Sequence, residues 1–187
     1  IPKDAVPLPQ RPREAWRWVL RGGLTPEQAN DHWGMRWHEK TRRVLIPIHQ
    51  SERLIGLLGR AVFGERPKYR MFGGPADTLF HAPHRPGEAV VVTEDILSAI
   101  AVWRAGANAT AVLGTSITPV QAAEIAKRGS HVIGWFDGDA AGDRAWQRLR
   151  NKMALHPVRL DRIRTEQDPK ALHRSDLRAR LTPYTGA

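Results

Sequence analysis

The chain has 187 residues, of which 26% are charged and 41% hydrophobic, and these are the proportions of a globular protein rather than a disordered or fibrous one. It contains no cysteine, which excludes a disulfide framework, a thiolate zinc site, an iron–sulfur cluster and a cysteine nucleophile. The formal net charge of +10 favours a polyanionic partner, such as nucleic acid or nucleotides, over an ordinary basic surface.

The N-terminal third of the sequence predicts a small helical region. Four prolines make residues 1–12 an irregular lead-in, and a short helix is predicted over 13–21. A second helix begins after Thr25, which caps it, with Pro26 at the first helical position. Four tryptophans in this region are interpreted as core of the helical cap in preference to stacking platforms for a single strand: Trp16, Trp18, Trp33 and Trp37.

A hairpin and a long connection follow. Alternating apolar residues over 44–48 predict a half-buried strand, and residues 54–61 read as its hairpin partner across the polar turn 50–53. Residues 64–88 are rich in Gly, Pro, Arg and His, which is typical of a functional loop or a domain junction.

From residue 89 onward, apolar runs of strand length alternate with segments of helical spacing. This order predicts a parallel sheet covered by helices on both faces, and so an α/β fold. The predicted strands are 89–93, 109–113, 131–136 and 158–160, and the predicted helices are 95–105, 118–127, 140–153 and 169–180.

Acidic side chains follow two of these strands, where ligands gather in an open parallel sheet. Glu94 follows the first strand, residues 114–116 (Gly-Thr-Ser) follow the second, and Asp137 and Asp139 follow the third. If the first and third strands are neighbours, three carboxylates meet at one edge, and their repulsion is relieved by a cation such as Mg²⁺. The alternative is that Glu94 and Asp139 only cap helices. We expect Gly142 to let the helix backbone approach the site or the sheet closely.

Basic residues of the first half form a second constellation. Arginine binds phosphate with two parallel hydrogen bonds, and tyrosine stacks on bases, so these residues are candidates for nucleic-acid contact, with solvated surface as the alternative. They are Arg42, Arg43, Arg60, Lys68, Tyr69 and Arg70.

Residues 89–143 resemble the Toprim fold of primases, topoisomerases and some nucleases. Val-Val-Thr-Glu (91–94) matches the family's glutamate after the first strand, and Asp-Gly-Asp (137–139) matches its Asp-x-Asp after the third. Further segments are similar to DnaG-type primases, so that the resemblance covers about residues 36–180: Arg-Val-Leu-Ile-Pro-Ile (43–48), Pro-Lys-Tyr-Arg (67–70), Val-Leu-Gly-Thr-Ser (112–116) and Gln-Asp-Pro (167–169).

The resemblance implies the RNA polymerase core of a bacterial or phage primase, without the family's zinc-binding module and helicase. Such a core makes short RNA primers from nucleoside triphosphates on a single-stranded DNA template, in the cytoplasm of a bacterium or of a phage's host. The implied cofactors are Mg²⁺ or Mn²⁺ at a two-metal site. A replicative helicase or a separate zinc-binding module is a further implied partner, and no membrane is involved. The implied segments are a lead-in (1–35), a basic α+β subdomain (36–88), the Toprim domain (89–165) and a helical tail (166–187).

Site residues are carried over position by position. Glu94, Asp137 and Asp139 would be catalytic and would bind the metals together with Asp168. The residues implied for nucleotide or DNA binding are Arg43, Arg60, Lys68, Tyr69 and Arg70.

Four positions depart from the family pattern, and these departures bear on the ligands of the second metal. Asp95 replaces a glycine, Gln167 a lysine, Lys170 an acid, and Asp143 a basic residue. Two other functions therefore stay open: a nucleic-acid-binding Toprim module without polymerase activity, and a Toprim nuclease or topoisomerase fragment.

Overall fold

The computed structural model describes residues 1–10, 12–50, 53–75, 77–85, 87–113 and 117–185. The predicted Gly-Thr-Ser turn at 114–116 and the tip of the hairpin turn at 51–52 lie outside these residues. The chain divides into two compact units, Ile1–Ala76 and Asp77–Ala187. This boundary falls inside the connection interpreted as a loop or a junction, while the finer four-segment division stays a prediction.

The first unit is an antiparallel sheet with two short helices. Its sheet order is β1-β2-β3-β4-β5, counting the strands found in the described residues. In chain order the elements are β1 (Ala5–Pro7), a 3₁₀ turn (Leu8–Gln10), α1 (Arg13–Leu20), α2 (Pro26–Asp31), β2 (Arg36–His38), β3 (Arg43–Gln50), β4 (Arg53–Ala61) and β5 (Tyr69–Phe72).

Local sequence explains the helix starts and the hairpin of this unit. The Thr25 hydroxyl accepts a hydrogen bond from the Gln28 amide, and the Gln28 side chain accepts one from the Thr25 amide, so a capping box begins α2. Strands β3 and β4 pair as the predicted hairpin. Trp18 and Trp37 are buried, which confirms the core interpretation for these two tryptophans.

Three predictions for the first 88 residues are wrong in detail. Residues 1–12 contain β1, because an edge strand tolerates Pro7. Residues 43–48 are buried throughout rather than on one face, since β3 lies in the middle of its sheet. The predicted loop 64–88 contains β5, which pairs with β4, and part of the second unit's sheet.

The second unit is the predicted α/β fold with a mainly parallel sheet flanked by helices. Within the described residues its sheet order is β10-β9-β7-β8-β6, with parallel pairing everywhere except at the edge strand β6. Its elements are β6 (Phe80–His81), β7 (Ala89–Thr93), α3 (Ile96–Ala105), β8 (Asn108–Ala111), α4 (Pro119–Arg128), β9 (His131–Gly134), α5 (Ala140–Met153), β10 (Arg159–Arg162), a 3₁₀ turn (Pro169–Ala171) and α6 (Arg174–Thr185).

The core of this unit explains the continuous apolar strands. Val90, Val92 and Val132 pack in one cluster with apolar residues of α4 and α5. Val91 and Ile133 alternate with them and are also fully buried, as expected for a sheet covered on both faces. Helix α3 contacts β7, β8 and α6, and most of its residues are buried.

The C-terminal segment differs from the predicted helix over 169–180. Pro169 begins a 3₁₀ turn, Leu172 is extended, and α6 begins only at Arg174, with Leu177 and Leu181 buried one turn apart. Among the described helices, none combines the length and the apolar composition that a transmembrane segment requires.

Candidate active site

Two acidic side chains stand at the carboxyl ends of adjacent parallel strands in the second unit. Glu94 follows Thr93, the last residue of β7, and Asp137 lies three residues beyond Gly134, the last residue of β9. Strands β7 and β9 pair directly, with Val92 opposite Gly134, which confirms the adjacency on which the predicted acidic edge depends. The parallel sheet therefore delivers both carboxylates to one edge.

The pKa values of these two groups are raised, first by burial and then by neighbouring negative charges. Burial, followed by the charges of Asp95, Asp139 and Asp168, raises the pKa of Glu94. Burial also raises the pKa of Asp137 to about 7, and the charges of Asp168 and Glu94 act in the same direction, while Lys170 opposes them. Such perturbed carboxyls are typical of sites that bind a cation or move a proton.

Two further acids of the edge also begin helices. Asp95 caps α3, because its Oδ1 accepts hydrogen bonds from the amides of Leu97 (2.9 Å) and Ser98 (3.2 Å). Asp139 caps α5 through an Oδ1 contact of 2.8 Å with the Gly142 amide. The capping role is thus present at Asp139, and at Asp95 rather than Glu94.

Lys170 is the cation of this cluster. Its Nζ donates to Asp95 Oδ2 at 2.9 Å and to Asp168 Oδ2. Burial alone would lower the pKa of Lys170, but the carboxylates of Asp95, Asp168 and Asp137 raise it above its ordinary value. The lysine is therefore charged and binds the first acid of the Asp-Pro motif that was expected to face a metal.

Close backbone contacts hold the segment that carries Asp168 and Lys170 against the end of β9. The Trp135 indole donates to the Thr165 hydroxyl at 2.8 Å, and that hydroxyl donates to the Gln167 carbonyl at 2.7 Å. A Cβ added at Gly138 would lie 2.2 Å from the Thr165 carbonyl oxygen, so the glycine permits this approach.

Gly142 permits a second close approach, which the sequence anticipated. A Cβ at this position would lie 1.9 Å from the Asp137 carbonyl oxygen. The first turn of α5 therefore rests directly on the backbone of an acidic residue of the cluster.

The chemistry of the donors suits a hard divalent cation, but the donors do not form a ready ligand set. Carboxylate oxygens with surplus negative charge are what Mg²⁺ and Mn²⁺ prefer. Among the described residues, however, no three histidine, aspartate or glutamate side chains already lie in the arrangement of a metal-ligand set. Lys170 holds two of the acids instead, so a divalent ion would bind the remaining ones only after side-chain movement.

The predicted basic residues all belong to the first unit, and Arg43 differs from the rest. Its side chain is 3% exposed, and its guanidinium donates to the carbonyls of Pro67 (2.8 Å), Gly59 (3.2 Å) and Lys68 (3.4 Å). The prediction that Arg43 contacts nucleic acid is therefore corrected: its donors bind the backbone of β4 and of the segment before β5.

Two of the other predicted basic residues, Arg60 and Lys68, line a cleft of about 750 Å³ together with Arg66. Arg60 lies between two aromatic rings, 4.9 Å from the ring centroid of Tyr69 and 6.0 Å from that of Trp18. Its Nε and Nη1 are buried and have no hydrogen-bond partner within the described part of the chain. Lys68 and Arg70 are exposed on either side of the half-buried Tyr69.

Sequence reasoning gave no structural role to two members of the acidic cluster, Asp95 and Lys170. The signal for Asp95 was its place one residue before an apolar helix, where an acid caps well. Lys170 carried no comparable signal, because its contact with Asp95 joins residues 75 positions apart.

Comparisons with known proteins show which family and fold this chain resembles. The family model of the Toprim domain matches residues 88–164. A DNA primase of Halalkalibacterium halodurans is 33% identical over 138 residues, which cover 66% of this chain and 22% of that protein. The chain thus spans about a fifth of the length of this curated relative.

Solved structures share the fold across nearly the whole chain. The zinc-binding and RNA polymerase domains of Aquifex aeolicus primase superpose with a TM-score of 0.75 at 20% identity, over 93% of this chain and 56% of that one. The DnaG primase catalytic domain bound to single-stranded DNA gives 0.72 at 20% identity, over 97% and 75%. Residues 88–164 are therefore a Toprim domain, and the chain is a homologue of bacterial DNA primases with the fold of the DnaG catalytic core.

Proposed function

We propose that the chain is the catalytic core of a DNA primase, a nucleotidyltransferase that makes short RNA primers from nucleoside triphosphates on a single-stranded DNA template. The observation that carries this proposal is the pair Glu94 and Asp137, crowded at the carboxyl ends of two adjacent strands with raised pKa values. The homology to primases supports the reaction class.

Glu94, Asp137 and Asp139 would hold Mg²⁺ or Mn²⁺, with Asp168 as a further acid of the cluster. When bound, the cation neutralises phosphate charge and orients the triphosphate for in-line displacement. The protein's own part is to fix the carboxylates: helix α5 and the packed segment after β10 hold their backbone in place.

The partners follow from the same reaction. Arg60, Lys68, Tyr69 and Arg70 would contact template, primer or triphosphate on the first unit. A replicative helicase or a separate zinc-binding module would supply unwinding and template choice, and the protein would act in the cytoplasm of a bacterium or of a phage's host.

A second candidate is a nucleic-acid-binding Toprim module without polymerase activity. The ion pairs of Lys170 with Asp95 and Asp168 favour it, because they occupy acids that a metal would otherwise use.

The two functions are separated by incubating the chain with labelled ribonucleotides, single-stranded DNA of mixed sequence, and Mg²⁺ or Mn²⁺. Short RNA products that require both template and metal support the primase. Tight binding of single-stranded DNA without RNA product, even at high protein concentration, would favour the binding module.

Lys68→Ala should weaken binding of single-stranded DNA several-fold and reduce its salt dependence, because an exposed lysine releases counterions when it contacts phosphate. Its melting temperature should stay unchanged. Lys40→Ala, which removes an exposed lysine of the same unit, is the matched control. If DNA binding by the wild type and by Lys68→Ala depends equally on salt concentration, Lys68 does not contact phosphate.

The free energy of unfolding of the metal-free protein should depend on pH, because the pKa of Asp137 is raised in the folded state. In the folded state this pKa is about 7 and the ordinary value is 3.8, so the folded protein holds the proton more tightly. The stabilising contribution is complete below about pH 4 and is lost as pH rises towards 7. Asp137→Asn should therefore become increasingly more stable than the wild type over this range in EDTA, as measured by urea unfolding. A stability difference that does not change with pH would contradict this assignment.

A further inference from the structure

Lys170 places a fixed positive charge inside a cluster of carboxylates. Its Nζ lies 2.9 Å from Asp95 Oδ2 and also contacts Asp168 Oδ2, so one ammonium joins the start of α3 to the segment after β10. The side chains of Lys170, Asp95 and Asp168 are largely buried, with exposed fractions of 24%, 18% and 31%, respectively. Water screens this ion pair less than it screens one on an open surface, so the Coulomb attraction between its charges is stronger.

The pairing also fixes the geometry of both acids. Asp95 is held through Oδ1 by two amides of α3 and through Oδ2 by the Ser98 hydroxyl and by Lys170. Asp168 begins the 3₁₀ turn that carries Lys170 itself. Asp95 cannot turn towards Glu94 and Asp137 without breaking these contacts, whereas Asp168 contacts Lys170 and also lies within hydrogen-bond reach of Asp137.

Glu94 and Asp137 form no direct ion pair with any described residue. Glu94 and Asp137 face several negative charges, and Lys170 is the cation that counters them in the described residues. Lys170 thus offsets one of the two negative charges of Asp95 and Asp168, and Glu94 and Asp137 keep negative charge that an added cation would offset. This division accounts for the absence of a ready three-residue ligand set in the described chain.

We propose that Lys170 is a resident cation of the acidic cluster, which takes the place of one divalent ion and limits the cluster to a single Mg²⁺ or Mn²⁺. The inference rests on the proposed function in so far as it assumes that Glu94 and Asp137 take a divalent ion. It makes Lys170 a positioning residue, because it acts on the metal and on substrate through Asp95 and Asp168.

Removal of the lysine should open the second position. Lys170→Glu should bind two Mn²⁺ ions per chain where the wild type binds one, and Lys170→Gln should bind the second ion more weakly than Lys170→Glu. Lys170→Arg keeps the charge and should still bind one. The full chain is titrated with Mn²⁺ alone, and free Mn²⁺ is followed by electron paramagnetic resonance. Lys127→Gln, which breaks an exposed ion pair with Glu124, is the matched control and should bind like the wild type.

Melting in EDTA supplies an independent readout. Lys170→Gln should melt below the wild type without metal, because two buried acids lose their counterion, and Mn²⁺ should raise its melting temperature more than it raises that of the wild type. Lys170→Gln keeps the proposal testable if Lys170→Glu fails to fold without metal.

The outcomes separate this proposal from the proposed function. Two ions in the wild type, no ion in the wild type, or equal ion numbers in the wild type and both Lys170→Gln and Lys170→Glu would each overturn the role of Lys170. One ion in the wild type and two in Lys170→Glu, with no primer synthesis by any variant, would uphold the resident cation and count against the primase activity alone.

Discussion

Asp137→Asn is expected to reduce primer synthesis at least about 100-fold, the scale on which single electrostatic groups contribute to catalysis. The side chain keeps its size and loses the negative charge that the cluster needs to hold a cation beside the triphosphate. Asp137 is half-buried at the acidic edge, and burial together with the charges of Asp168 and Glu94 raises its pKa.

Binding of single-stranded DNA should survive in Asp137→Asn, since the candidate DNA-binding side chains belong to the first unit. Synthesis is measured with labelled ribonucleotides and binding by fluorescence anisotropy of a labelled oligonucleotide. Asp176→Asn removes an exposed acid of α6 and should leave both quantities unchanged. If Asp137→Asn synthesises primers at a rate within a few-fold of the wild type, Asp137 is not a member of the active site.

Gly142→Ala should damage both the fold and the site. The new Cβ would lie 1.9 Å from the carbonyl oxygen and 2.8 Å from the carbonyl carbon of Asp137. Either α5 or the segment after β9 must therefore move away. Overpacking of this kind costs about 1–3 kcal/mol. Because the displaced backbone is that of Asp137, synthesis should fall by more than the loss of folded protein explains.

The measurement is thermal melting followed by synthesis at a temperature where the variant is fully folded. Ala140→Ser changes an exposed residue in the same helical turn and should resemble the wild type in both assays. Wild-type melting and activity in Gly142→Ala would mean that α5 does not rest on Asp137 as closely as the structure shows.

Local patterns were enough to predict much of the second unit. Helix α5 begins and ends at the predicted residues, Ala140 and Met153, because Asp139 caps it and apolar residues recur along one face. The acidic edge depended on a condition that the sequence left open, the adjacency of the first and third strands of the parallel sheet, and the pairing of β7 with β9 meets this condition.

Long-range side-chain contacts could not be predicted in the same way. Arg43 resembles a phosphate-binding residue in sequence, yet its guanidinium binds carbonyls up to 25 positions away, and only the folded hairpin brings these together. The same holds for Lys170, whose effect on the cluster depends on Asp95, 75 positions away in the sequence. The 3₁₀ turn at Pro169 was missed because the helical spacing of the sequence continues through Leu172, whereas the backbone at Leu172 is extended.

Asp95 both caps α3 and pairs with Lys170, and this combination has an evolutionary consequence. One carboxylate begins α3 and at the same time pairs with a lysine that departs from the primase pattern, so loss of either residue leaves the other with one charged partner fewer in a confined space. Aspartate at position 95 and lysine at position 170 are therefore expected to be gained or lost together as the lineage of this chain diverges, which would set apart a branch with its own metal requirement.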